Sequence, residues 1–335
     1  MEPLVGRAAR AYNRPFAEEG TVPRDVWIGL DLGGTAVKAA AVDPRGRLLA
    51  WDEVVLEDRA PKAVASLMSR MAKSLHGSAG GRLRGIGVGT PGPIDFERGV
   101  VTIAPNLPGW RNVPLARMVG SLVHARTVIE NDANAAAYGE SWLGAGRGCR
   151  SVVLYTLGTG IGGGIVLDGR VWHGQNGGAG ELGHVPVVPN GRTCSCGARG
   201  CVEAYASAKS VTKRFRSLLA RRRRSRATGR DAREICDAAR RGDPLAREVI
   251  EEAGRFLGLG VAGMVNAINP EIVILGGGMS AAGEPLFGPV RAAVRAHVLA
   301  PLRKGLRVVR ARLGNQAGAI GAAGCALTAF ETSAS

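Results

Sequence analysis

From Glu181 to Glu203 the chain reads Glu-Leu-Gly-His-Val-Pro-Val-Val-Pro-Asn-Gly-Arg-Thr-Cys-Ser-Cys-Gly-Ala-Arg-Gly-Cys-Val-Glu, which sets one imidazole and three thiols, His184, Cys194, Cys196 and Cys201, within reach of a single ion. Zn²⁺ takes tetrahedral sets of thiolate and imidazole, and Gly197 and Gly200 leave the backbone free to turn around it. Four protein ligands leave no position for water, so the spacing predicts a structural rather than a catalytic zinc. A disulfide is the competing use of these cysteines. It would leave one of the three unpaired, and Met1 to Arg24 lack the continuous apolar stretch of an export signal.

A second set of residues suits phosphate. Gly33-Gly34-Thr35 and Gly158-Thr159-Gly160 each follow an apolar strand and offer backbone N–H groups to phosphate oxygens. Gly158, Gly160 and Gly163 also match the dinucleotide-fold spacing, but a strand follows them instead of a helix, and that context rejects the reading. One glycine turn is most often just a tight hairpin. Two matched turns, each with a threonine, point to one phosphate-bearing ligand held from both sides of a cleft. Such a ligand needs a counter-charge, usually Mg²⁺, and Asp31 stands at a strand end where it can hold a metal-bound water. Gly276, Gly277 and Gly278, after another apolar strand, let a flat purine lie against the backbone.

Asp132, in Glu130-Asn131-Asp132-Ala133-Asn134, follows a strand and opens a helix of small residues. Its plain reading is an N-cap. Its chemical reading is a general base that takes the proton of a hydroxyl attacking a terminal phosphate. A polyol needs several fixed donors and acceptors, which Asn106, Asn131, Glu181, His184 and Glu203 can supply. The last three border the cysteine loop, so zinc is expected to hold that wall in shape, with His184 binding the ion through one ring nitrogen and presenting the other to a hydroxyl.

The elements that must carry these groups come in two similar series. Strands are expected at Val26–Leu32, Ala36–Val42 and Leu48–Leu56, then a helix from Pro61 to about Leu75 and strands at Gly85–Val88 and Thr127–Ile129. The same grammar restarts at Ser151, with a strand, a glycine turn and a return strand at Ile165–Leu167. Helices follow at about Ala206–Arg222, Asp231–Arg240 and Pro244–Ile268, then a strand at Ile272–Leu275 and a last helix over Ala317–Phe330. This pattern predicts two α/β lobes with a cleft between them. The expected division is an N-terminal extension over 1–24, a first lobe over 25–130 with helix 317–331 packing back on it, and a second lobe over 131–316 that carries the zinc loop 184–201.

With 335 residues and 45% hydrophobic content the chain can bury a real core, and no apolar run is long enough to span a bilayer. The net charge of +16 and the run Arg221-Arg222-Arg223-Arg224-Ser225-Arg226 invite a nucleic-acid reading. The run lacks interleaved aromatics and reads instead as a solvated helix end, so no specific nucleic-acid partner is expected; a basic surface also suits an anionic small substrate such as a nucleotide or a polyphosphate, and charge alone does not choose between them. Scattered cysteines and an N-terminal stretch that does not read as an export signal lead to the expectation of a cytoplasmic protein.

From Val26 onward the sequence resembles the ROK family of sugar kinases, within the actin/hexokinase-like (ribonuclease H-like) fold. The likeness rests on Asp-Leu-Gly-Gly-Thr at 31–35, Pro-Gly-Pro at 91–93, Asn-Leu-Pro-Gly-Trp at 106–110, Asn-Asp-Ala-Asn-Ala-Ala at 131–136, Leu-Gly-Thr-Gly-Ile-Gly-Gly-Gly at 157–164, Glu-Leu-Gly-His at 181–184 and the cysteine loop. It implies Mg-ATP-dependent phosphorylation of a hexose at its 6-hydroxyl, Asp132 as base, structural Zn²⁺, and a homodimer or homotetramer. Residues 106–110 and 203–207 look most like the bacterial glucokinase branch, which implies glucose; fructose, N-acetylmannosamine and N-acetylglucosamine are the alternative acceptors. Ala36 departs from the pattern, standing where many relatives have lysine. Family repressors carry a helix-turn-helix domain before the kinase-like body, and the two dozen or so residues ahead of the first strand are too few for one.

Overall fold

The structure is a computed structural model that describes residues 23–104, 107–222 and 225–331; Asn106, most of the N-terminal extension and the middle of the arginine run lie outside the described residues. The chain divides into two compact units, Met1–Leu143 with Gln316–Ser335, and Gly144–Asn315.

The first unit is built on β1 (Asp25–Leu32), β2 (Ala36–Val42), β3 (Leu48–Val55), helix α1 (Pro61–Ala79) and β4 (Arg82–Thr90). A small side sheet of β5 (Ile94–Asp95), β6 (Val100–Ile103) and β7 (Arg111–Val113) follows, then α2 (Leu115–Val123), β8 (Thr127–Asn131) and α3 (Asp132–Trp142). The main sheet has the order β3-β2-β1-β4-β8, antiparallel on the β3 side of β1 and parallel on the β8 side. Val26, Ile28, Leu30 and Leu32 of β1 are buried, as a strand covered on both faces must be.

The second unit repeats this plan with β9 (Ser151–Leu157), β10 (Ile161–Leu167), β11 (Arg170–Val171), β12 (Ile272–Gly276) and β13 (Arg307–Arg310) in the order β11-β10-β9-β12-β13, antiparallel and parallel in the same places. Its helices are α4 (Glu203–Ala206), α5 (Ala208–Arg222), α6 (Ala232–Arg240), α7 (Pro244–Ile268) and α8 (Glu284–His297). The single helix expected over 206–222 is interrupted because Ser207 leaves helical geometry and caps α5, its Oγ accepting the Ser210 N–H at 3.3 Å. Helix α7 starts where Asp243 accepts the Ala246 N–H and Pro244 occupies the first turn, and it buries Leu245, Val249, Leu257 and Val261 along one face. No helix among the described residues is long and apolar enough to cross a membrane.

Helix α3 belongs to the first unit, so the unit boundary falls after Leu143 and not at 130. The reason is backbone contact with the C-terminal helix Ala317–Glu331: a Cβ on Gly321 would meet the Ala135 carbonyl oxygen at 1.6 Å. The same helix lies on the sheet over Gly29, where a Cβ would stand 1.8 Å from the Ala319 carbonyl oxygen. Small residues on three elements therefore let two helices and the sheet approach more closely than side chains allow. Gly321→Ala should destabilise the protein by about 1–3 kcal/mol through overpacking, read as a lowered thermal midpoint; an unchanged midpoint would remove this contact from the fold's requirements.

Candidate active site and metal centre

In the first unit the polar groups gather at the carboxyl ends of three neighbouring parallel strands. Register pairs Asp31 of β1 with Gly89 of β4, and Gly89 with Glu130 of β8. A Cβ on Gly89 would stand 3.7 Å from Asp31 Oδ1 and 3.7 Å from the Asp132 Cα, so the absent side chain leaves the space beside both aspartates open. The turn Gly33–Thr35 begins two residues after Asp31, closed by the Gly33 N–H donating to the Ala36 carbonyl at 2.9 Å. Nothing approaches within 4 Å of the Cβ position of Gly34.

Capping of α3 falls to Asn131. Its side-chain oxygen accepts the N–H groups of Ala133 at 3.0 Å and Asn134 at 3.2 Å, while Glu130 Oε1 accepts the Asn131 N–H at 2.9 Å and the Asn134 amide at 3.1 Å. With the Asn131 oxygen engaged, its amide nitrogen is the group left to donate to a ligand. Asp132 is the first helical residue, half-buried, with Oδ1 accepting the Ala133 N–H at 2.8 Å. It shares the Ala133 N–H with the Asn131 oxygen.

Asp31 is enclosed. A Cβ on Gly318, in the first turn of the C-terminal helix, would lie 2.6 Å from the Asp31 Cγ, and Lys38 Nζ stands 4.0 Å from Oδ2. Burial pushes the Asp31 carboxyl up to about 7; Lys38 opposes the rise, and Asp132 and Glu53 add to it. The oxygens, the protected setting and the neighbouring glycine turn fit a role beside a hydrated Mg²⁺ carried on a phosphate ligand.

The second unit places its candidates in the same way. Gly158–Gly160 follows β9 and Gly276–Gly278 follows its parallel neighbour β12, with Gly276 paired to Thr156. Gly277 has φ +78°, and a Cβ there would meet the Leu157 carbonyl oxygen at 2.4 Å, which seats this loop against the end of β9. These two turns thus share the crevice beyond the strand ends where α/β sheets bind ligands. A cavity of about 740 Å³ opens beside Thr159, with Ser195, Glu203, Lys209 and Lys213 in its wall.

The four expected metal ligands converge. His184 Nδ1 lies 3.6 Å from Cys194 Sγ and the thiols of Cys196 and Cys201 are 3.9 Å apart, with all four ligand atoms within 4.8 Å of one another. A tetrahedron with Zn–S bonds of about 2.3 Å has edges of roughly 3.7 Å, so the set fits zinc. All six cysteines are free, and the separation of Cys196 and Cys201 is far beyond a disulfide's roughly 2.05 Å. Gly197 and Gly200 both adopt positive φ, +91° and +82°, to carry the chain around the centre. The Ala198 amide, donating to Cys196, pulls that thiol below its ordinary range, toward the thiolate a metal needs. The other ring nitrogen of His184 faces Glu181, at 3.8 Å from Oε2.

Asp31, the first turn, Asn131 and Asp132 therefore stand in the first unit. The second turn, Gly276–Gly278, Glu181, His184, Glu203 and the cysteines stand in the second. Sequence reasoning passed over Lys38, which strand alternation places opposite Asp31 across the first hairpin, and Glu130, which buttresses the cap. It also passed over Ser195, whose hydroxyl donates to Glu203 Oε1 at 2.5 Å.

Two sheets of one plan, each with its polar groups at the parallel strand ends, place the chain in the actin/hexokinase-like fold. The chain belongs to the ROK family, whose family model matches residues 27–329. It is 40% identical to a glucokinase of Thermotoga maritima over 310 residues, 90% of this chain and 97% of that protein. A ROK family glucokinase from Streptomyces griseus, solved in complex with glucose and AMPPNP, superposes with a TM-score of 0.77 at 35% identity, covering 90% of this chain and 99% of that one. A xylose repressor of Bacillus spizizenii is 30% identical over 302 residues, 88% of this chain and 75% of that protein.

Two outcomes follow. Cys194→Ala should leave the purified protein without its zinc and with a lower thermal midpoint; full metal content by elemental analysis would remove Cys194 from the ligand set. Between its ordinary 3.8 and about 7, folded Asp31 holds a proton that the unfolded chain releases, so its contribution to stability falls as pH rises through that window and is constant above it. Asp31→Asn should therefore gain on the wild type between about pH 4 and pH 7, by up to about 4 kcal/mol in denaturant unfolding. Parallel stability–pH curves would contradict the assignment.

Proposed function

We propose that this protein transfers the γ-phosphoryl group of ATP to the 6-hydroxyl of glucose, giving glucose 6-phosphate and ADP. The observation that carries the reading is the pair of aspartates at the parallel strand ends: Asp31 and Asp132, the first residue of α3, both border the space that Gly89 leaves open. The glucokinase relatives, matched over nearly their whole length, support glucose as acceptor and ATP as donor.

In this reading the Asp132 carboxylate accepts the proton of O6 as that oxygen bonds to the γ-phosphorus. The bond from that phosphorus to the bridging oxygen breaks, and ADP leaves with the electron pair. The glycine turns 33–35 and 158–160 give N–H donors to the phosphates, and Gly276–Gly278 provides the flat backbone surface for adenine. Asp31 is the carboxylate that would hold a water of Mg²⁺ carried on the nucleotide, and that ion would neutralise phosphate charge. Asn131 through its amide group, with Asn106, Glu181, His184 and Glu203, orients the sugar hydroxyls, and zinc fixes the loop that carries the last three. The proposed base belongs to the first unit and the proposed sugar-binding loop to the second. We take the working form to be a cytoplasmic homodimer or homotetramer.

Similarity to a xylose repressor supports a sugar-binding body shared by enzymes and regulators of the family. The two readings separate on one variant. Asp132→Asn should keep the fold and sugar affinity and lower turnover by about 10² to 10⁴, measured as ATP- and Mg²⁺-dependent sugar phosphate formation across glucose, mannose, fructose, N-acetylglucosamine and N-acetylmannosamine. Near-normal turnover would take Asp132 out of the base role; preference for another sugar would move the specificity and keep the mechanism; no turnover by the wild type would favour a regulator.

A further inference from the structure

The segment from Glu203 to Ala208 grips the second glycine turn at both ends. The Ile161 N–H donates to Glu203 Oε2 at 2.8 Å, and the Ala208 N–H donates to the Gly158 carbonyl at 2.9 Å. The fit leaves no slack: a Cβ on Gly160 would stand 2.5 Å from Glu203 Oε2. The same segment is fastened to the metal loop. Cys201 lies two residues before Glu203, and Ser195, between ligands Cys194 and Cys196, donates its hydroxyl to Glu203 Oε1 at 2.5 Å. The Arg192 N–H donates to the Tyr205 hydroxyl at 2.8 Å, and the Arg192 guanidinium lies 4.5 Å over the Tyr205 ring.

We propose that Ser195 and Glu203 are positioning residues that carry the order of the metal loop into the donor-phosphate turn, so that the zinc centre governs nucleotide affinity as well as the sugar wall. The proposal rests on the reading of Gly158–Gly160 as that phosphate turn. N–H groups that cradle phosphate act only while the backbone holds them in place, and a carboxylate accepting an N–H is a strong, charge-assisted anchor. A glutamate side chain held at one oxygen alone spreads over several rotamers. The Ser195 hydroxyl holds the second oxygen and removes that freedom.

The test uses full-length zinc-loaded protein as wild type, Ser195→Ala, Glu203→Ala and Glu203→Gln, together with zinc-stripped wild type. Affinity for the magnesium complex of AMPPNP is measured by calorimetry without sugar, zinc by elemental analysis, and amide exchange on peptides covering Gly158 to Ile161. Ser195→Ala should retain zinc, bind the nucleotide about three- to tenfold more weakly, the size of one ordinary net hydrogen bond, and exchange faster at the turn. Glu203→Ala should weaken binding further. Glu203→Gln, whose amide still accepts the Ile161 N–H and can face Ser195, should recover most of the loss. Zinc-stripped protein should show the faster turn exchange of Glu203→Ala. Unchanged exchange and unchanged affinity in both alanine variants with zinc retained would overturn the proposal. Failure of the wild type to bind the nucleotide would count against the kinase reading instead, and the exchange comparison would still decide the coupling.

Discussion

Helix α3 and the C-terminal helix meet backbone to backbone, and the polar groups of the first unit take their positions from that contact. Gly321 against the Ala135 carbonyl and Gly29 under Ala319 hold both helices close to the sheet. The first turn of α3 then delivers Asp132 to the strand ends, and the first turn of the C-terminal helix closes over Asp31. Enclosure raises the Asp31 carboxyl to about 7, close to the pH at which a kinase works.

The second unit solves the same positioning problem with different chemistry. Its sheet repeats the strand order of the first. Order there comes from a metal loop. Cys194, Cys196, Cys201 and His184 converge within 4.8 Å, and the loop they fix ends in Glu203, whose carboxylate reaches the backbone just beyond the glycine turn. A chain of hydrogen bonds to fixed groups constrains a loop much as apolar burial constrains a helix, at a place where ligands need polar surface. Close packing thus orders the polar groups of the first unit, and the metal loop orders those of the second.

Much of this was legible in the sequence, because the signals involved are local. Strand periodicity and glycine turns revealed both sheets and their repetition, and the spacing of four ligands revealed the metal centre. The side sheet β5 to β7 was not legible, since strands of two to four residues carry no period. Sequence alone also could not tell whether Asn131 or Asp132 caps α3. Either side chain can accept the orphan N–H groups, and only the geometry shows that Asn131 takes those of Ala133 and Asn134 while Asp132 shares that of Ala133. The small residues of the C-terminal helix showed a helix without showing its partner. The bond from Ile161 to Glu203 joins residues 42 positions apart and leaves no trace in local pattern.

The central claim is that Asp132 takes the proton from the sugar's 6-hydroxyl. Its most direct test is an experimental structure with glucose and AMPPNP bound together. The account predicts O6 within about 2.6–3.2 Å of an Asp132 oxygen, in line between that carboxylate and the γ-phosphorus. Asp31 or Glu181 in that position, with Asp132 turned away from the hydroxyl, would contradict it.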